Sequence, residues 1–151
     1  MNMKITIRKG VEPDLKFIYA LIRDFAIFQK TPEKLTISLE EMLANKDFFQ
    51  CLVAETAAGE IVGFATFFFV YYSWSGKALY LDDLFITQSF RRRNIGSKLL
   101  EAITIVAKSE HCKKMRWQVS KWNAAGIDFY KKIGALVDEV EVNCDLLLTT
   151  T

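Results

Sequence analysis

The apolar run Ile61–Tyr72 constrains the fold of this chain more than any other feature. Only Gly63 and Thr66 interrupt it, and it is too short to cross a bilayer as a helix. It therefore predicts a buried β-strand. A turn containing Gly59 separates it from another strand-like run at 49–55, which predicts a β-hairpin. The rest of the chain must build a sheet around this hairpin.

Strand-like and helix-like patterns alternate along the remainder of the chain. Strands are predicted at 3–9, 49–55, 60–72, 78–87, 114–120 and 135–148. A first helix is predicted after Pro13, and a short second helix after a capping box of Ser38 and Glu41. Two further helices are predicted, one from Ile95 to about Ser109 and one from Asn123 to Ile133, which ends at Gly134. This order predicts an α/β fold with a mixed sheet. The hairpin strands should pair antiparallel, and later strands that flank a helix can pair in parallel.

Composition excludes several classes of function. The 151 residues carry a net charge of only +2, which gives no electrostatic basis for binding nucleic acid, and they suit one domain over 1–151. Three widely spaced cysteines favour reduced thiols and a cytoplasmic location. The first residues lack the apolar core of a signal peptide. His111 is the only histidine, and its position at a helix end predicts exposure and no metal site.

The stretch from Leu79 to Glu101 carries the clearest chemical signal. A buried strand runs into three consecutive arginines, then Asn94 and Gly96, and then a helix. A helix start offers free N–H groups and a positive dipole end, which favour phosphate. The pattern is neither a Walker loop nor a Rossmann fingerprint. The residues alone fit either a pyrophosphate site or a solvated basic loop.

This loop resembles motif A of the GNAT superfamily of N-acetyltransferases, whose pattern is Q/R-x-x-G-x-G/A. The resemblance implies a single-domain GNAT-like fold, with a mostly antiparallel sheet flanked by helices and acetyl-CoA in a cleft between central strands. It also implies acetyl-CoA as the acetyl donor. The first glycine of the motif is replaced here by Asn94, which tolerates a left-handed backbone. The residues that the resemblance assigns to the donor are Leu84, Phe85 and Ile86 for the pantetheine arm, and Arg91, Arg92, Arg93, Asn94, Ile95, Gly96 and Ser97 for the pyrophosphate.

The segment from Asn123 to Gly134 is similar to the family's fourth motif, which contributes Asn123, Phe129 and Tyr130. The spacing alone fits a core tyrosine on an amphipathic helix. The resemblance implies that Tyr130 is the general acid for the departing CoA thiolate. A phenol with a pKa near 10 and a thiol with a pKa near 8.5 exchange a proton at little cost. Asn123 caps its helix and, by resemblance, contacts CoA. Phe129 packs against the donor or the core.

Segments at 51–55, 61–65, 74–83, 93–97 and 122–135 are similar, in order, to the diamine (spermidine/spermine) acetyltransferase branch. In that branch a glutamate stands at the position of Asp82. An alkylammonium must lose a proton before it attacks, which costs about 4–5 kcal/mol at pH 7. Asp82 is therefore a candidate base or ammonium anchor, directly or through water. Asp83 is a second candidate, although adjacent strand residues point to opposite faces unless the strand bulges.

The resemblance also implies substrate contacts at Phe28, Gln29, Tyr72 and Trp74. The branch carries acidic and tyrosine residues where this chain has Phe28, Gln29 and Tyr72, so acidic character is lost. Trp74 fits either a cation–π wall or core packing. A short diamine or a lysine-like amine is therefore expected in preference to a long polycation. The alternatives are a silent acyl-CoA-binding regulatory module and a protein-lysine acetyltransferase. A homodimer through 67–72 and the terminal strand is implied by resemblance.

Overall fold

The computed structural model describes residues 4–148, which fall into one unit ending at Gln118 and a second beginning at Val119. The predicted first strand included Met3, which lies outside the described residues. The first unit contains a sheet whose spatial order follows the chain. Its strands are β1 (Ile5–Lys9), β2 (Gln50–Thr56), β3 (Ile61–Tyr72), β4 (Gly76–Ile86) and β5 (Lys114–Arg116).

The pairing of the strands confirms the predicted mixed sheet. β1 to β4 pair antiparallel with their neighbours, and β4 pairs in parallel with β5. The antiparallel hairpin of β2 and β3 is the one that the apolar run predicted. A parallel neighbour requires a crossover, and the helix between β4 and β5 supplies it.

Three helices belong to the first unit: α1 (Leu15–Phe28), α2 (Leu39–Ala44) and α3 (Ile95–Ser109). The 3.6-residue spacing of apolar side chains predicted α1 and α3. The Ser38 hydroxyl accepts from the Glu41 N–H at 3.1 Å, which confirms the cap of α2. Pro13 lies in a 3-10 turn before α1 rather than in its first turn.

The helices cover opposite faces of the sheet and create two apolar clusters. Leu99 and Ile103 of α3 pack on one face with Leu79 and Leu81 of β4. Leu15, Ile18 and Leu21 of α1 pack on the other face with Phe64 and Phe85, and Met42 of α2 joins them. A side chain of β4 therefore faces either α3 or α1, and its position along the strand decides which.

The predicted strand at 114–120 is shorter in the structure. β5 ends at Arg116 because only Ala78–Tyr80 of β4 pair with it. From Leu81 to Ile86, this side of β4 has no neighbouring strand among residues 4–148. The Ile86 carbonyl on this stretch accepts from Arg91 Nε, and no strand among the described residues pairs with the other backbone groups of this edge.

The second unit contains α4 (Ala124–Lys132). The Asn123 side chain accepts from the Gly126 N–H at 3.0 Å, and Gly134 has φ +95°, so both predicted ends of this helix are confirmed. The prediction of a strand at 135–148 is wrong, because these residues form neither helix nor strand. Their apolar side chains satisfy the sequence pattern for a strand. Most of these side chains are exposed, however, and Leu136 is 98% exposed.

Candidate active site

A β-bulge in β4 places the two adjacent carboxylates. Asp83 is opposite Thr66 of β3 and Leu81 is opposite Phe67, so Asp82 is the extra residue without a partner. Such a bulge re-aims side chains and disrupts strict alternation. Asp83 lies in register with Thr66, on the face that also carries Phe64 and Phe85. Burial is the main cause that raises the pKa of the Tyr80 phenol, and the charge of Asp82 raises it further.

The environments of the two carboxylates differ. Asp82 is exposed, and the surrounding protein still displaces enough water to raise the pKa of its carboxyl. Asp83 is half-buried, and burial, together with the neighbouring Asp82 charge, raises its pKa to about 7. Two carboxyl groups whose pKa values differ can have different roles, one binding a cation and the other transferring a proton. The pKa of Asp83 is raised by both burial and a neighbouring charge, that of Asp82 by burial alone.

The loop between β4 and α3 has the backbone that phosphate binding requires. Asn94 adopts the left-handed conformation with φ +62°, and its side chain makes no capping hydrogen bond to α3. The first intrahelical bond of α3 runs from the Lys98 N–H to the Asn94 carbonyl. The N–H groups of Ile95, Gly96 and Ser97 come before it and point out of the helix start, where an anion is favoured.

Packing against the sheet does not explain Gly96. A Cβ built at this position would lie 3.7 Å from Leu84 Cδ2, which is an ordinary contact. A glycine at this position leaves room for a ligand to approach the backbone closely from the other side. The free edge of β4 at Leu84, Phe85 and Ile86 adjoins this helix start in sequence. The donor set therefore fits a long ligand with a phosphate-bearing end and an amide-bearing arm.

The three arginines of the loop have different surroundings. Arg91 stacks over the rings of Phe28 and Phe85, with centroid distances of 4.6 and 5.2 Å, and its Nε donates to the Ile86 carbonyl at 3.0 Å. Arg92 and Arg93 are exposed, and Arg93 lies 4.9 Å from the centroid of Phe90. Arg91 thus fixes the start of the loop, while Arg92 and Arg93 present charge to solvent.

The substrate positions implied by resemblance fall in two places within the first unit. Phe28 ends α1 and Gln29 follows it, so both lie near Arg91 in the fold. Tyr72 ends β3, and Lys114 and Arg116 lie over its ring at 4.8 and 4.6 Å.

Trp74 lies in the β3–β4 turn and is fully exposed, which rules out core packing for its side chain. The turn is roughly 20 Å along β4 from the bulge, at 3.3 Å per residue. Trp74 is therefore not brought together with the carboxylates within one chain, whereas, in addition to burial, Asp82 and Tyr72 both help to raise the pKa of the Tyr80 phenol that lies between them on the strands.

The second unit carries the residues of the fourth motif. Tyr130 is half-buried in α4, and burial raises the pKa of its phenol. The Phe129 and Tyr130 rings meet edge to face with centroids 5.6 Å apart. Asn123 is engaged in capping α4. Burial therefore keeps the phenol protonated, as a proton donor must be, and makes it a weaker acid than an exposed tyrosine.

Sequence reasoning missed Thr66. Its side chain is buried at 5% exposure, and among residues 4–148 its hydroxyl has no hydrogen-bond partner. A threonine within an otherwise apolar strand was the available signal. The pairing partner Asp83, which gives the hydroxyl its meaning, depends on the register and cannot be read from spacing alone.

A helix start that favours phosphate and a carboxylate pair on the preceding strand fit an enzyme that brings an anionic donor to a cationic acceptor. Residues 15–135 match the model of the acetyltransferase (GNAT) family. A thialysine Nε-acetyltransferase of Sus scrofa is 34% identical over 87% of this chain and 84% of its own length. A spermidine/spermine N(1)-acetyltransferase-like protein 1 of Homo sapiens is 32% identical over 86% of this chain and 20% of its own.

The fold has solved counterparts. The crystal structure of an aminoglycoside acetyltransferase from an uncultured soil metagenomic sample has a TM-score of 0.77, with 24% identity over 96% of this chain and 97% of that one. The chain belongs to the GNAT family of acetyltransferases. It is an N-acetyltransferase that uses acetyl-CoA, as the motif A resemblance predicted.

Proposed function

We propose that this enzyme acetylates the terminal amine of a lysine-like amino acid or a short diamine. The observation that carries the proposal is the pair Asp82 and Asp83 at the β4 bulge, next to the strand residues assigned to the donor. A carboxylate there can bind one ammonium group beside the acetyl carbon. The thialysine acetyltransferases, which match most of this chain, support the same class of acceptor.

The surroundings of the pair argue against a long polycation. Phe28, at a position that is acidic or tyrosine in the polyamine branch, lies against the guanidinium of Arg91. Tyr72 lies beneath Lys114 and Arg116. Further amines of a polyamine would meet cations at both places, and like charges at short range repel. A lysine-like amino acid reduces that repulsion because its α-carboxylate balances the charge of its α-ammonium, and a short diamine carries only one further cation.

Direct transfer in a ternary complex fits these residues. Asp82 and Asp83 hold the ammonium and remove one proton, and the neutral amine attacks the thioester carbonyl. The new C–N bond forms as the C–S bond breaks. The phenol of Tyr130 gives a proton to the departing thiolate. Acetyl-CoA supplies the activated acyl group, held by the α3 start, Arg92 and Arg93, and by the β4 edge.

Three further features of the protein belong to this proposal. The family model extends across both units, which supports one acetyltransferase domain over 1–151. The cysteine pattern supports a cytoplasmic location. Within residues 4–148 no helix is long and apolar enough to cross a membrane.

A homodimer is the proposed assembly. Phe67 is in the core, so the predicted aromatic interface would use the end of the hairpin, where Tyr71 is 79% exposed. The apolar residues near the C-terminus are also exposed, among them Val142 and Leu146 at 80% and 87%. Large exposed apolar patches mark interaction sites. Val142→Glu should shift sedimentation towards the monomer, and an unchanged sedimentation coefficient would contradict this interface.

Release of free CoA thiol tests the function. Thialysine, lysine, ornithine, short diamines, spermidine and a lysine peptide would be compared with wild type and Tyr130→Phe. Lysine-like amines should give the highest kcat/KM, and the Phe variant should lose about 10²-fold or more in kcat. Turnover of the peptide or of spermidine far above the others would refute the proposed acceptor. Acetyl-CoA binding without turnover of any amine would favour a regulatory binding module.

A further inference from the structure

Thr66 and Asp83 face each other across the β3–β4 ladder. They are register partners in an antiparallel pair, so their side chains leave the same face of the sheet with Cβ atoms about 4.5–5.5 Å apart. Thr66 is almost completely buried, and its hydroxyl has no hydrogen-bond partner within the described part of the chain. The two side chains are not hydrogen-bonded in the structure, so a bridging water or a change of side-chain rotamer would join the hydroxyl to the carboxyl.

Packing gives no reason for a hydroxyl at this position. The residues two places away on the same face, Phe64 and Phe85, belong to the apolar cluster under α1. Valine has the shape of threonine and would fill the same space without burying a polar atom. A buried hydroxyl without a partner is unfavourable, so a reason must come from a polar neighbour. The register sets Asp83 in that position.

The bulge makes Asp83 the proton-exchanging member of the pair. Burial and the charge of Asp82 raise the pKa of Asp83 to about 7, whereas burial alone acts on Asp82. Among the described residues, the charge that acts on the Asp83 carboxyl is that of Asp82. The Tyr80 phenol is acted on by Asp82, and the Arg91 guanidinium stacks on Phe85, two residues after Asp83. α1 contributes aromatic and aliphatic side chains, with Phe25 stacked on Phe85.

We propose that Asp83, positioned by the Thr66 hydroxyl, is the base that takes the proton from the substrate ammonium, while Asp82 holds the cation. The inference rests on the proposed amine acetyltransferase function. The ammonium gives one proton to the Asp83 carboxylate and becomes a neutral amine. Its nitrogen forms the bond to the acetyl carbon, and the C–S bond breaks. The second nitrogen proton, lost as the amide forms, balances the proton that the departing thiolate takes up, so the products are amide, CoA thiol and the one proton that Asp83 returns to solvent.

The pH dependence of kcat/KM for one amine tests this division of roles. Activity should rise with pH through an acid limb near the pKa of Asp83, because its carboxylate is the active form. Thr66→Val removes a donor to that carboxylate, so the limb should move up by about one pH unit and kcat/KM at pH 7 should fall about fivefold. Thr66→Ser keeps the hydroxyl and should restore the wild-type profile.

Asp82→Asn should act in the opposite direction. Removing the neighbouring negative charge lowers the pKa of Asp83, so the limb should move to lower pH while KM for the amine rises. Thr87→Val is the matched control, because Thr87 also carries a buried hydroxyl without a partner but no opposing carboxylate is paired with it. It should leave the profile unchanged. The amine itself titrates equally in all variants.

Two results would overturn the inference. A Thr66→Val profile that superimposes on wild type would remove Thr66 from the chemistry, and loss of the acid limb in Asp82→Asn would make Asp82 the base. Carboxyl-carbon NMR titration of Asp83 in the free protein gives a readout that needs no turnover. Failure of every amine to react, with the Asp83 pKa still higher in Thr66→Val than in wild type, would refute the substrate but support the Thr66–Asp83 pair.

Discussion

Asp83→Asn should stabilise the protein at neutral and alkaline pH. The folded-state pKa of Asp83 is about 7, against an ordinary value of 3.8. Because the native state holds this proton more tightly than the unfolded chain, wild-type stability falls as pH rises from about 4 to about 7. Three pKa units correspond to about 4 kcal/mol as an upper limit. Because the carboxyl keeps some contact with solvent, we expect a gain of about 2–3 kcal/mol at pH 8.

Urea unfolding at pH 5, 6, 7 and 8 measures this gain. The difference in free energy of unfolding between Asp83→Asn and wild type should grow with pH and become constant above pH 7. At pH 8 it should raise Tm by roughly 5–10 °C. Asp24→Asn, on the exposed surface of α1, is the control and should change stability little. A destabilised Asp83→Asn at pH 8 would refute the reasoning, because it would mean that favourable interactions of the ionised carboxylate outweigh the cost of burying its charge.

Three other substitutions separate the roles of the loop and the core. Arg93→Ala should raise KM for acetyl-CoA about fivefold to tenfold, because an exposed cation acts on the donor's phosphates. It should also weaken the salt dependence of this KM, which initial rates measure. An unchanged KM would count against phosphate binding by this loop. Arg91→Lys should lower the free energy of unfolding by about 1–2 kcal/mol, because it removes the stacking on Phe28 and the hydrogen bond to the Ile86 carbonyl. Equal stability of the variant and wild type in urea unfolding would show that the stacking is dispensable. Leu99→Ala should cost about 2–5 kcal/mol at a site with no exposed surface, and a loss below 1 kcal/mol would contradict its place in the core.

Local chemistry made parts of the fold readable from sequence. α3 has the predicted bounds because apolar residues at 3.6-residue spacing begin directly after Asn94 and end shortly before Ser109. The caps at Ser38 and Asn123 need only residues three apart. These features depend on neighbours along the chain, and spacing is enough to find them.

Features that depend on residues distant in the chain could not be predicted from the sequence. The alternation of apolar residues after Gly134 predicted a strand, but alternation says nothing of which strand would pair with it, and none does among the described residues. The bulge at Asp82 and the pairing of Thr66 with Asp83 follow from the register of β3 against β4. The stacking of Arg91 on Phe28 joins the end of α1 to a loop some sixty residues later.

Competition between two amines in one reaction tests the central claim most directly. Wild-type enzyme with acetyl-CoA and equal concentrations of thialysine and spermidine would be stopped early, and the acetylated products quantified by mass spectrometry. The ratio of products reports the ratio of kcat/KM values. We predict acetyl-thialysine, modified on its side-chain amine, as the main product. A predominance of acetyl-spermidine, or no acetylated amine at all, would contradict the account.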